Sequence, residues 1–138
     1  MRMRTLPLLI FPVVMLGACT QTQAEVERAQ VREAGVQEKL AKELAGLVPG
    51  KPETCISQIP QKQSSGYGAT ILYRVNNSLV YRSDTAGGCE GIARGDILVT
   101  RTPTGQLCRG DIAQTLDQNT RFPTGGCSFG DFVPYRRP

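Results

Sequence analysis

The chain has 138 residues, a formal net charge of +4 at pH 7, and neither histidine nor tryptophan. Two of its arginines lie within the first four residues, so the remainder carries only +2, too little to indicate nucleic-acid binding. Without histidine, Ser-His-Asp and Cys-His catalytic arrangements are excluded. The length suits one domain with a modest core.

The first 18 residues have the three zones of a secretory signal peptide. Arg2 and Arg4 form a short positive region, an apolar stretch covers residues 6–16, and small residues lead to Cys19. The apolar stretch is too short for a membrane-spanning helix, which needs about 20 residues. We therefore expect residues 1–18 to be removed on export.

The sequence Leu-Gly-Ala-Cys at residues 16–19 resembles the lipobox of bacterial lipoproteins. The resemblance implies a diacylglycerol on the Cys19 thiol and a further acyl chain, such as palmitate, on its amine. Several acyl chains together anchor a protein stably. Because Thr20 rather than aspartate follows, the expected location is the outer membrane, with the protein facing the periplasm. The alternative is an ordinary cleaved signal with an unmodified cysteine beside the cut.

The cysteine count favours two disulfides. Lipidation of Cys19 leaves four of the five cysteines in an oxidising compartment. A structural zinc site is the alternative, but it usually needs two close cysteine pairs, and here the spacings are 34, 19 and 19 residues. We expect no metal site. All three pairings stay open for the cysteines concerned, Cys55, Cys89, Cys108 and Cys127.

An amphipathic helix is predicted over residues 25–48, after a short polar tether at residues 19–24. Its apolar stripe either packs on the globular domain, which we favour, or forms a coiled coil, for which the repeat is short. Proline residues stop the helix directly afterwards. The apolar residues recur at helical spacing, namely Val26, Ala29, Val36, Leu40, Leu44 and Leu47.

Residues 53–135 predict a mainly β domain, a small disulfide-braced sandwich or barrel of about six short strands. A hairpin is expected around Asn76-Asn77, since asparagine tolerates the positive φ of a type I′ turn. The segment 112–116 is of uncertain type. The expected strands cover residues 54–59, 69–75, 78–82, 96–101, 106–109 and 128–135.

The tripeptide Arg-Gly-Asp occurs twice, at residues 94–96 and 109–111, and Gly130-Asp131-Phe132 is a looser third copy. Displayed on a loop, this tripeptide would suit adhesion. Each copy precedes an apolar segment, where Gly-Asp commonly forms a turn or a cap. We interpret the repeats as turns.

Several segments of the globular part together form a recognisable set: residues 50–56, 73–75, 96–100, 106–108 and 129–135. They resemble a family of small exported proteins of sphingomonad-like proteobacteria that carry a domain of unknown function. The resemblance covers residues 46–135 and implies a host with two membranes, but no catalytic residue. Some members carry only the cysteines matching Cys55 and Cys108, which implies the pairs Cys55–Cys108 and Cys89–Cys127.

The predicted hairpin holds the best candidates for binding, Tyr73, Arg74, Tyr81 and Arg82. Arginine and tyrosine are favoured at interfaces. An exposed surface of these residues would bind an envelope glycan, lipopolysaccharide or a protein. Alternatively, the tyrosines cover the core and the arginines keep an outer face soluble.

The expected function is a non-catalytic envelope lipoprotein that acts as a binding or assembly module. Two other functions stay open. Paired carboxylates such as Glu90 and Asp96 would suit a small hydrolase of envelope glycans. Leu40 and Leu44 would serve an assembly role through the helix. No cofactor is expected, because no phosphate, dinucleotide or calcium motif occurs, and the sequence leaves the oligomeric state open.

Overall fold

A computed structural model describes residues 22–60 and 62–138. The predicted signal peptide, Cys19 and the first half of the predicted tether, up to residue 21, lie outside these residues. In the described ranges, no helix is long and apolar enough to cross a membrane. The elements are helix α1 (Gln23–Glu43), a 3-10 helix (Glu90–Arg94), and strands β1 (Val48–Pro49), β2 (Cys55–Ser57), β3 (Gln63–Tyr67), β4 (Thr70–Asn76), β5 (Leu79–Thr85), β6 (Ile97–Thr100), β7 (Gln106–Cys108), β8 (Ile112–Leu116) and β9 (Pro123–Arg136).

Helix α1 begins and ends earlier than its apolar pattern predicts. Thr22 caps the N terminus: its hydroxyl accepts a hydrogen bond from the Glu25 N–H at 3.3 Å, and the Glu25 carboxylate accepts one from the Thr22 N–H at 2.9 Å. This reciprocal pair is a capping box. The C-cap is Leu44, and Gly46 with a φ of 75° then turns the chain towards β1.

Only the C-terminal part of α1 packs on the sheet. Leu40, which is 2% exposed, and Leu44 pack against Leu72 of β4 and Val80 of β5. Residues 22–34 are exposed. The helix is therefore a stalk that the domain holds at one end. The favoured packing of the apolar stripe on the domain holds for its C-terminal part, whereas Val26 and Ala29 at its start are exposed.

The strands form one curled antiparallel sheet in the order β3-β4-β5-β9-β8-β6, with β1 also paired to β9. Strand β9 lies at the centre, because β8 pairs with its N-terminal half and β5 with its C-terminal half. The sheet curls into a half-barrel whose end strands, β3 and β6, do not pair with each other. Strands β2 and β7 form a separate two-stranded ribbon. The prediction of a mainly β fold is confirmed.

The inside of the half-barrel is an aromatic core crossed by a disulfide. Tyr73, Phe129 and Phe132 place their ring centroids 5.7 to 6.3 Å apart, the spacing of favourable aromatic pairs. Cys89–Cys127 ties the start of the 3-10 helix to β9, and Cys55–Cys108 links β2 to β7. These are the pairs that the family resemblance implied. Each typically contributes about 2–4 kcal/mol by restricting the unfolded chain.

The turn between β4 and β5 differs from the prediction. A type I′ turn needs positive φ at both central residues, but among the described residues only Arg121 combines a side chain with positive φ. The turn lies one residue later, at Asn77-Ser78, and the Asn76 side chain accepts a hydrogen bond from the Ser78 N–H at 2.8 Å. The type I′ prediction was wrong because a register shift before Asn76 moves the turn.

The two full Arg-Gly-Asp repeats are turns, as interpreted. Gly95 and Gly110 adopt φ values of 102° and 87°, a region that favours glycine. The third copy is not a turn, because Gly130 lies inside β9, where a side chain would meet the backbone of Asp84 on β5.

We predict that Leu40→Ala lowers the free energy of unfolding by about 2–4 kcal/mol, because it leaves a cavity between α1 and the sheet. Val31→Ala on the same helix is the matched control. Val31 is 73% exposed, so its change should stay within about 0.5 kcal/mol. Urea unfolding followed by circular dichroism measures both. Equal, small effects would contradict the packing of α1 on the sheet.

Candidate functional site

The hairpin residues predicted to form one binding surface point to opposite faces of the sheet. Tyr73 pairs with Tyr81 across β4 and β5, and Arg74 and Arg82 occupy the neighbouring positions. Since side chains alternate along a strand, the tyrosines face the aromatic core and the arginines face the α1 side. Tyr73 is only 8% exposed, and Tyr81 packs against the same core. The prediction of a single arginine and tyrosine surface was therefore wrong.

Both arginines are engaged in ion pairs within the chain. Arg74 binds Glu43, the last residue of α1, at 2.8 Å, and Arg82 binds Asp84 on its own strand at 3.0 Å. Tyr67 lies beside Glu43, and its pKa is raised, first by burial and then by that carboxylate. The contacts of Arg74 and Tyr67 with Glu43 join the end of the helix to the sheet. Partly exposed pairs of this kind contribute little stability individually.

The other candidates have local structural contacts. Glu90 accepts a hydrogen bond from the Gly88 N–H at 3.1 Å, and Asp96 accepts one from the Thr124 hydroxyl at 2.6 Å. Leu40 and Leu44 are covered by the sheet of their own domain, so in this arrangement they cannot contact a partner. No group of three or more potential metal ligands occurs among the described cysteine and acidic residues.

The half-barrel leaves a groove between its two end strands, which we call the seam. Two cavities lie along it, one of about 610 Å³ and one of about 140 Å³. Ser64 of β3 and Leu98 of β6 line both, so the cavities are neighbours on one groove. Val36 and Lys39 of α1 and the C-terminal part of the 3-10 helix complete the larger cavity, where Asp96 is the one acidic side chain in the described lining.

Strand β3 presents unpaired backbone groups to the seam. The hairpin between β3 and β4 has a two-residue loop, Gly68-Ala69, and Tyr67 pairs with Thr70. The two residues that flank such a loop form a hydrogen-bonded pair. From there, hydrogen-bonded and non-hydrogen-bonded residue pairs alternate along the two strands. Ser64 and Gly66 consequently direct their N–H and C=O groups away from β4, towards the seam.

The smaller cavity, which we call the seam pocket, is predominantly polar. Ser57 is the last residue of β2, Gln58 and Lys62 follow that strand, Thr100 belongs to β6, and Tyr73 belongs to β4. Gln58 donates a hydrogen bond to the Thr100 hydroxyl at 3.4 Å, and Lys62 donates one to the Ser57 carbonyl. Burial lowers the pKa of Lys62. The remaining lining residues are Ile56, Ser64, Leu98 and Leu107.

Tyr73 is the unusual residue of the seam pocket. Its hydroxyl oxygen is buried and has no hydrogen-bond partner among the described residues. Burial raises the pKa of Tyr73 far above its ordinary value of 10.0, because the charged phenolate would lose its hydration. At neutral pH the group is therefore a neutral hydroxyl, able to donate and to accept a hydrogen bond.

Sequence reasoning found one member of the seam pocket, Tyr73, and missed the others. Lys62 and Ser64 lie in or beside β3, a strand that was not predicted because it is polar and lacks apolar alternation. The sequence does carry one signal for β3, the Gly68-Ala69 turn before β4. Such a turn indicates a hairpin and therefore a strand before it.

Comparison of the chain with protein-family models, with curated protein sequences and with solved structures found no match. The resemblance to small exported proteins of sphingomonad-like bacteria stays a prediction.

We predict that Tyr73→Phe leaves stability unchanged or slightly raised near neutral pH, because the hydroxyl that it removes has no partner in the described part of the chain. In the wild type, the unfolded Tyr73 ionises above pH 10.0 while the folded one keeps its proton. The unfolded state then binds fewer protons, so stability falls as pH rises. Between about pH 8 and about pH 11, the free energy of unfolding of the wild type should therefore fall by about 1 kcal/mol more than that of Tyr73→Phe. Urea unfolding at both pH values measures this difference.

The control for this comparison is Tyr81→Phe, which changes the cross-strand partner of Tyr73 outside the seam pocket. It measures how much of any change comes from removing a phenol hydroxyl beside the same core. The same pH dependence in the wild type and in Tyr73→Phe would contradict the burial of the hydroxyl.

Proposed function

We propose that the protein is a non-catalytic lipoprotein of the cell envelope, anchored in the outer membrane through Cys19, whose half-barrel binds an envelope component along the seam. The observation that carries this proposal is the open groove itself. Two sheet edges face each other without pairing, and two neighbouring cavities lie between them. Concave sites with a few convergent polar groups are the usual places for ligand binding.

Helix α1 supports the anchoring part of the proposal. Its capping residue, Thr22, follows Cys19 by three positions, so the helix starts almost at the proposed lipid. The exposed residues 22–34 would hold the domain about 20 Å from the membrane, at 1.5 Å per helical residue. Because Leu40 and Leu44 fix the other end to the sheet, the seam would be displayed at a set distance from the bilayer.

The contacts of the acidic candidates support a binding role over hydrolysis. A glycosidase needs two carboxylates flanking one bond, about 5–10 Å apart. In the described lining of the larger cavity, Asp96 has no second acidic residue beside it, and it accepts a hydrogen bond from Thr124. Glu90 is not among the residues that line this cavity.

The proposal is tested with the full chain carrying Cys19→Ser, so that no lipid contributes to binding. We expect this protein to bind isolated envelope fragments saturably, and Ser64→Trp to abolish the binding, because an indole at Ser64 would fill the seam. Gln106→Trp, at an exposed position of β7, is the matched control and should bind normally. Binding is measured by co-sedimentation of labelled protein.

Two results would contradict the proposal. One is binding that does not saturate. Unchanged binding by Ser64→Trp would count equally, provided that this variant retains both disulfides and the wild-type circular dichroism spectrum. The other concerns the anchor: the wild-type protein from native membranes should have the intact mass of residues 19–138 plus a triacyl group, and an unlipidated mass would exclude it.

A further inference from the structure

We propose that the seam pocket is a carboxylate-binding site, in which Lys62 supplies the positive charge and the Tyr73 hydroxyl supplies a hydrogen bond. This inference deepens the proposed binding function, on which it rests, by naming the chemical group that the seam recognises. It follows from the charge of the pocket, from the unpartnered hydroxyl and from the volume of the cavity.

The charge of the pocket is uncompensated. Lys62 is the one charged side chain in its described lining. The ion pairs found among the described residues all involve other cations, and the Lys62 ammonium donates to a neutral group, the Ser57 carbonyl. A partly buried ammonium without a carboxylate favours an anionic ligand, because a hydrogen bond between two charged groups is roughly twice as strong as one between neutral groups.

The Tyr73 hydroxyl points to the same kind of ligand. Tyr73 is 8% exposed, its oxygen has no partner among the described residues, and it lines the pocket that Lys62 lines. Buried polar groups are almost always hydrogen bonded. Since this hydroxyl keeps its proton at neutral pH, it can donate to a carboxylate oxygen while Lys62 balances the charge.

The volume restricts what part of a ligand enters. About 140 Å³ is well below the 300–1,000 Å³ that is typical of sites for drug-sized molecules. The pocket therefore accepts a carboxylate on a short chain, and not a whole sugar chain or an acyl chain. Ser64 and Leu98 connect it with the larger cavity, which has room for the rest of a longer molecule. A small organic acid and the acidic side chain or end of a peptide both offer this group.

The test is isothermal titration of the full chain carrying Cys19→Ser with four probes: succinate, its uncharged diamide, inorganic phosphate and a pentapeptide with a central glutamate. We expect saturable binding of succinate, of the peptide or of both, and no binding of the diamide. Tighter binding of succinate assigns the site to small acids, and tighter binding of the peptide assigns it to acidic chains. Binding of phosphate as tight as that of the carboxylates would overturn the proposal.

Two substitutions locate the binding in the pocket. Lys62→Met removes the charge and should weaken carboxylate binding at least about tenfold, and Tyr73→Phe should weaken it about threefold or more, since each removes a hydrogen bond to a charged group. Tyr81→Phe is the matched control and should bind like the wild type. If no carboxylate binds, or if Lys62→Met and Tyr73→Phe both bind as the wild type does, the inference is wrong.

The failures of the two proposals can be told apart. Envelope binding that Ser64→Trp abolishes, without carboxylate binding, would leave the seam as a binding site and refute the carboxylate inference. Carboxylate binding that Lys62→Met weakens, without envelope binding, would support the pocket and refute the envelope function.

Discussion

Strand β9 is the constraint on which the rest of the structure depends. It has 14 residues and changes partners along its length, pairing with β8 over its first half and with β5 over its second. Register shifts interrupt both pairings, between Ser83 and Thr85 and between Thr115 and Leu116. Such bulges bend strands and increase twist. The sheet therefore curls around β9, and its two end strands face each other across the seam without pairing.

Two unpaired sheet edges can pair with strands of other molecules. Features of the sequence near the seam reduce this risk. Strand β3 is short and polar, and the 3-10 helix packs on it so closely that a side chain at Gly66 would collide with Ile92. The Cys89–Cys127 disulfide holds that helix in place. Short edge strands are one of the usual protections against edge-to-edge association. The 3-10 helix also narrows one end of the seam, while the pocket beside Lys62 stays open to a small group.

Much of the scaffold could be predicted from the sequence, because local rules determine it. The spacing of Leu40 and Leu44 indicated a helix packed on the domain, and four cysteines outside the lipobox indicated two disulfides. The prediction of one arginine and tyrosine surface was wrong for a reason that is visible in the sequence. Tyr73 and Arg74 are neighbours on a strand, so their side chains must point to opposite faces of the sheet. The seam pocket could not be predicted, since it forms only when the curl of the sheet brings the segment around Lys62 next to β4 and β6.

Amide hydrogen exchange, measured residue by residue by NMR, tests the open seam most directly. The Ser65 N–H is bonded to β4 and the Ser64 N–H faces the groove, although both belong to the same strand. We expect the Ser64 amide to exchange at least about 100-fold faster than that of Ser65, because only the paired amide is protected until the hairpin opens. Equal protection of the two amides would mean that the edge of β3 is already paired, and it would contradict the open half-barrel.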